Sequence, residues 1–138
     1  MEPTPHRIVN PLTPSHPLRF AHAVVAARGW IVHLGGQTAQ RPDGAVAGGS
    51  LIEQFDLALA NVAEALREAG ARPEHLVSML VCTTDVAGYR VNSAALGSLY
   101  RRHLGRHCPA VTVLGVAELF DPAAKVELLG TAVIPSNG

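Results

Sequence analysis

Residues 109–133 read PAVTVLGVAELFDPAAKVELLGTAV, two apolar runs joined by a short turn, with Glu127 set inside the second. A carboxylate in a buried strand is costly unless it is paired, hydrogen-bonded or put to chemical use, so this stretch bears on fold and function together. In AVTVLGV, Ala110, Thr112, Leu114 and Val116 alternate with Val111, Val113 and Gly115. A strand apolar on both faces is expected to be covered on both. In the second run, Val126, Leu128, Gly130 and Ala132 suit a helix-covered face, while Lys125, Glu127, Leu129, Thr131 and Val133 suit the opposite one.

Upstream, Ser50 and Glu53 have the spacing of a capping box. The helix that starts at Leu51 buries Leu51, Phe55, Ala58, Leu59, Val62 and Leu66 at intervals of three and four and stops at Gly70. AHAVVAA and GWIVHLGG, separated by Arg28-Gly29, predict a hairpin. LVSMLVCTT reads as a strand, and VNSAALGSLYRRHL as a second helix with Ala95, Leu99 and Leu104 inward and a stop at Gly105. Prolines at 3, 5, 11, 14 and 17 make the first twenty residues an extended arm with one short strand at Arg7 to Asn10. The order is βββαβαββ, without internal repeat or domain boundary, so residues 1–138 are expected to form a single α+β domain. Two helices cover only one face of a five- or six-stranded sheet. The other face would expose on the order of several hundred Å² of apolar surface, so identical subunits are expected to cover it and to enclose Glu127 in a cleft.

The composition sets bounds. The 138 residues are 48% apolar and 16% charged, a soluble globular balance. Eleven basic and eleven acidic residues cancel, and only six residues are aromatic, so neither a phosphate-binding footprint nor a base-stacking platform is expected. With no export-type N-terminus and no apolar run of roughly 18 residues, the expectation is a cytoplasmic protein with no membrane partner. Cys82 and Cys108 form neither a CxxC pair nor a disulfide framework, which fits a reducing compartment.

The hairpin ending in GGQ, the helix QFDLALANVAEALREAGARPEHLV, the following VCTTDVAGY, the CPAVTVLGVAEL run and the closing KVELLGTAV together resemble the RidA/YjgF family over nearly the whole chain. The resemblance implies a chorismate-mutase-like fold: a six-stranded mixed sheet with two helices on one face, assembled as a homotrimer with clefts between subunits. It also implies hydrolysis of reactive imines or enamines, such as 2-aminoacrylate, to keto acids and ammonia without a cofactor. There are departures. Deaminase members carry an arginine after Pro-Ala to hold the substrate carboxylate, and Val111 stands there in this chain. A family serine corresponds to Gly35, an aromatic hydroxyl to His22, and an asparagine to Ser93 or Asn92. The chain therefore resembles an arginine-less branch, in which Glu127 and Gly36 carry over.

The expected chemistry is proton transfer in hydrolysis or tautomerisation of a small imine or enamine. Glu127 is the candidate base and His22 the second catalytic candidate. Gly35, Gly36, Tyr89, Asn92, Ser93, Val111, Thr112 and Val113 are the expected substrate-binding positions. His33 reads more simply as a hydrogen-bonded strand residue. His103 and His107 flank the helix stop at Gly105, and no metal site is expected. In LYRRHLGRH, Arg101, Arg102 and Arg106 read as a solvated face that could instead reach a neighbour's cleft and replace the missing anchor. The rival classes are a ligand-binding or chaperone-like module without turnover, and a ribonuclease, which a neutral chain does not favour.

Overall fold

A computed structural model describes residues 3–11 and 20–137. Its elements are β1 (Arg7–Val9), β2 (Ala23–Val25), β3 (Gly29–Gln37), α1 (Leu51–Glu68), a 3-10 turn (Pro73–His75), β4 (Leu76–Thr83), α2 (Val86–Val91), α3 (Ser93–Leu104), β5 (Ala110–Gly115) and β6 (Val126–Pro135). The six strands do not form one sheet. Four make a mixed sheet in the order β3-β6-β4-β5, and β1 and β2 form a separate two-stranded ribbon. The expected arm is represented by β1, and its residues 12–19 lie outside the described residues.

The predicted hairpin is corrected by this pairing. β2 runs antiparallel to β1, with Arg7 opposite Val25, and β3 pairs with β6 from Gly29 opposite Pro135 onward. β6 is ten residues long and gives β3 a full-length partner, whereas β2 is only three residues long. Gly29 is tightly fitted against β6, since a Cβ there would stand 1.9 Å from the Ile134 carbonyl oxygen. The two runs of residues 109–133 are also separated in space: β4 lies between them, parallel to β5 and antiparallel to β6.

Helix α1 forms as its sequence dictates. The Glu53 N–H donates to Ser50 Oγ (3.1 Å) and the Ser50 N–H to Glu53 Oε1 (3.2 Å), closing the capping box. Gly70, at φ 81°, ends it, and the Ala71 N–H reaches the Leu66 carbonyl at 2.8 Å. All six predicted inward residues are buried, together with Gln54. That amide is fully used: Nε2 donates to the Ala123 carbonyl (2.8 Å), and Oε1 accepts from the Lys125 N–H (2.7 Å). Helix α1 thereby fixes where β6 begins.

The second predicted helix is present from Ser93 to Leu104 but rotated, and a short helix that was not predicted, α2, precedes it. Asp85 caps α2 by accepting from the Gly88 N–H (2.9 Å), and Asn92 Nδ2 donates to the Gly88 carbonyl (2.8 Å) where α2 ends. Helix α3 restarts at Ser93 and buries Leu96, Tyr100 and Leu104, while Ala95 is exposed and Leu99 only half-buried. The Tyr100 hydroxyl fixes this face by donating to the His107 carbonyl at 3.1 Å. The face assignment of β6 is observed, with Val126, Leu128 and Ala132 at 0% exposure under the helices. Val133 keeps its place on the opposite face, across from Ile31, but is buried there.

Three buried histidines clasp the start of β4. His6 Nδ1 accepts from the Ala27 N–H (3.0 Å), which leaves Nε2 as the donor to the His75 carbonyl (2.8 Å). His75 Nδ1 accepts from the Arg72 N–H (3.1 Å), and His107 Nε2 donates to the Leu76 carbonyl (2.7 Å). Burial holds His75 below the usual histidine value, reinforced by the Arg72 charge. Burial also lowers His107, against the opposing pull of its bond to Leu76. A histidine neutral in the fold binds fewer protons than its unfolded counterpart once the pH drops below about 6.5, so its contribution is complete above that value and is lost below it. The urea midpoint should therefore fall between about pH 7.5 and about pH 5.5. His107→Gln, which keeps a donor for Leu76 but cannot titrate, should flatten part of that dependence; an identical slope in the two proteins would remove His107 as a source.

Candidate active site

The sheet has one face under α1 and α3 and one turned away from them. Register assigns the residues to each. Leu34, Gly130, Met79 and Val111 share a row across the four strands, as do Leu128, Val81 and Val113, and these rows lie on the helix side, where Leu34, Met79, Val81 and Leu128 are buried. The alternate rows His33-Thr131-Ser78-Ala110, Leu129-Leu80-Thr112 and Glu127-Cys82-Leu114 lie on the outer face.

Glu127 is half-buried near one end of the outer face. Its closest approach is to Gly36, where a Cβ would stand 2.0 Å from Oε1, so any larger side chain would displace the carboxylate. Gly35 and Gly36 occupy a bulge between Leu34 and Gln37, where two residues oppose Leu129 alone. On the other side stands Cys82, whose thiol is pushed up by burial and, secondarily, by the charge of Glu127. No cation or hydrogen-bond donor reaches the Glu127 carboxylate among the described residues.

His22 is elsewhere. The Ala21 N–H donates to the Pro109 carbonyl (3.2 Å) and the His22 N–H to Asn10 Oδ1 (2.9 Å), which ties this segment to the start of β5. There His22 and His33 line an outer-face cavity of about 410 Å³ with Ser78, Leu80, Thr112, Leu129 and Thr131. The Ser78 row and the Cys82 row are four residue steps apart along β4, a span of roughly 13 Å. The two catalytic candidates are therefore not brought together within one chain.

The substrate-binding expectations divide as well. Thr112, Gly35 and Gly36 belong to the outer face. Tyr89, Ser93 and Val111 line a second cavity, of about 660 Å³, between the helices and the sheet. Val113 packs against the core. Asn92 is occupied in joining α2 to α3. Cys82 was missed by motif reasoning, although the alternation in LVSMLVCTT places it on the face of Ser78 and Leu80. His103 and His107 diverge, the former pairing with Asp56 and the latter with the Leu76 carbonyl.

An α+β chain with a mixed sheet, two main helices on one face and a lone carboxylate on the other defines a narrow class, and comparison with known proteins names it. The family model described as Endoribonuclease L-PSP matches residues 13–134. Protein mmf2, mitochondrial, of Schizosaccharomyces pombe is 32% identical over 102 residues, which cover 72% of this chain and 77% of that protein. Protein MMF1, mitochondrial, of Saccharomyces cerevisiae is 31% identical over 88 residues, covering 64% and 58% respectively. The crystal structure of YyfB from Yersinia pestis, a Rid-family protein described as of unknown function, superposes with a TM-score of 0.82 at 32% identity over 94% of this chain and 98% of that one. The chain belongs to the RidA/YjgF (L-PSP) family.

The cytoplasmic expectation is corrected here, because both curated relatives are named as mitochondrial proteins. A search for an apolar export segment is blind to a mitochondrial address, which is amphipathic, rich in arginine and serine and poor in acids.

The Glu127–Cys82 pairing has a direct readout. In a Cys108→Ser background, Glu127→Gln should lower the Cys82 thiol pKa and speed its alkylation by iodoacetamide at mildly alkaline pH. Equal rates would place the carboxylate away from the thiol.

Proposed function

We propose that this chain transfers protons on small reactive imines or enamines, hydrolysing them to carbonyl compounds and ammonia. Glu127 acts as the base. The observation that carries this reading is a half-buried carboxylate against Gly36 on a sheet face that also exposes Ile31, Leu114 and Leu129. Apolar side chains at 62%, 46% and 36% exposure around one acid suit a face closed by further copies of the chain, in a homotrimer. A neighbouring copy would then bring its own His22 and the backbone N–H groups of its β5 toward Glu127.

In that cleft Glu127 takes a proton from water as the oxygen attacks the imine carbon and delivers it to the nitrogen, giving a carbinolamine. Glu127 then takes the carbinolamine hydroxyl proton and passes it to the departing nitrogen, so that C=O forms, ammonia leaves and the carboxylate is restored. The carboxylate-binding arginine of the deaminases is replaced by Val111, so the preferred substrates have no carboxylate at that position. A neutral imine generated in place should release ammonia faster in the presence of the protein. Glu127→Gln should lower that rate by roughly 100-fold or more while the oligomer, measured by light scattering, is unchanged. Equal rates with and without the protein would leave a binding module without turnover, a reading favoured by the helix-side cavity, which holds no carboxylate.

A further inference from the structure

The ribbon of β1 and β2 has little apolar material with which to hold itself to the body. None of its six strand residues is buried, and Ile8 and Val25 are 38% and 46% exposed. Two strands alone are marginal at best in water. The attachment is polar. Among residues 3–11 only His6 is buried, and it is held at both ring nitrogens, by the Ala27 N–H and the His75 carbonyl. Thr4 adds a second tie to the same turn: its hydroxyl donates to the Glu74 carbonyl (2.8 Å) and accepts from the His6 N–H (3.2 Å).

These bonds require neutral rings. His6 Nδ1 accepts the Ala27 N–H and His75 Nδ1 the Arg72 N–H, so a proton added to either ring lands on the nitrogen that faces an N–H and sets donor against donor. At His107 an added proton leaves the bond to the Leu76 carbonyl in place but brings a further positive charge to the cluster. The charged groups around the rings are few. Arg72 and the buried Glu74 pair at 3.1 Å, the first opposing a proton on His75 and the second favouring it, and both other histidines oppose it. Tyr100, whose hydroxyl donates to the His107 carbonyl, is pushed up by burial and stays neutral. Arg7 and Arg28, the charged residues beside His6 and Ala27 in the chain, are exposed.

We propose that His6 and His75 form an acid-released latch, whose protonation frees the arm and the β1–β2 ribbon while α1 and the four-stranded sheet stay folded. Burial holds His75 below the usual histidine value in the closed form, so closure binds fewer protons than opening does. The latch is therefore complete above about pH 6.5 and weakens below it. Its opening reaches the outer face. Asn10, at the end of the arm, accepts the His22 N–H (2.9 Å), and His22 lines the cavity of about 410 Å³ with His33 and Thr112. Release of the arm withdraws Asn10 and loosens that wall. The latch belongs to the arm and does not depend on the imine reading.

Amide hydrogen exchange of the full chain, followed by NMR and expressed as protection relative to an unstructured peptide, reads the latch directly. Between pH 7.5 and pH 5.5 the protection of the Ala27 and Arg72 N–H groups should fall roughly tenfold, the effect of one histidine taking up its proton on opening. Urea well below the unfolding midpoint should leave both values unchanged, as a local opening requires. The Lys125 N–H, bonded to Gln54 in the core, should stay better protected than either at both pH values. In His6→Asn/His75→Asn the side-chain oxygens can accept the same two N–H groups but cannot titrate, so the fall should vanish. Should circular dichroism show that this pair does not fold, His75→Asn alone should abolish the response of the Arg72 N–H. Equal protection of Ala27 at both pH values, an undiminished fall in the variants, or exchange of Ala27 and Lys125 in step with the same urea dependence would each overturn the proposal.

Discussion

The strict alternation along β6 is the constraint on which the rest of the structure depends. Val126, Leu128 and Ala132 are fully buried against the helices, and Glu127 lies between the first two of them on the other side. A slip of one residue would exchange the faces, exposing the leucine and burying a charge beneath α1. Several contacts forbid it. Gln54 grips the Ala123 carbonyl and the Lys125 N–H, Thr83 Oγ1 donates to the Lys125 carbonyl at 2.8 Å, and the β3 bulge accepts Leu129 opposite two glycines. The position of the acid is thus set by how a helix packs on the opposite surface.

This arrangement gives the protein two surfaces of different chemistry. The outer face has an acid, a thiol and hydroxyl groups among exposed aliphatic side chains. The helix side has aromatic rings and arginines around an internal space. Val111 lies at the junction of the two: its row in the sheet belongs to the helix side, and it also borders the outer-face cavity. Arg101 and Arg106 stand near the same junction.

The parts legible in the sequence were those in which local and tertiary preferences agree. The capping box, the six apolar residues of α1 and the stop at Gly70 are local chemistry, and the helix follows them closely. The alternation of β6 was legible because one of its faces is almost purely apolar. Strand partnership was not, since AHAVVAA and GWIVHLGG carry β-forming residues and a turn-like junction but no mark of which distant strand each will choose. The short α2 was not legible, and its junction with α3 at Asn92, whose side chain bonds the Gly88 carbonyl, goes with the rotated face of α3. In the site, Glu127 and Gly36 could be paired from the resemblance, whereas the separation of His22 from Glu127 and the helix-side course of Val111 are properties of sheet register, which no motif encodes.

The central place of β6 also orders events in time. It occupies residues Val126–Pro135, yet it is flanked by strands made much earlier, β3 and β4. Until the ribosome has added those residues, the nascent chain holds two sheet segments with an unfilled slot between them and an uncovered α1. Closure therefore waits for Val126–Pro135, and a chain lacking them would lose the middle of its sheet rather than its fringe.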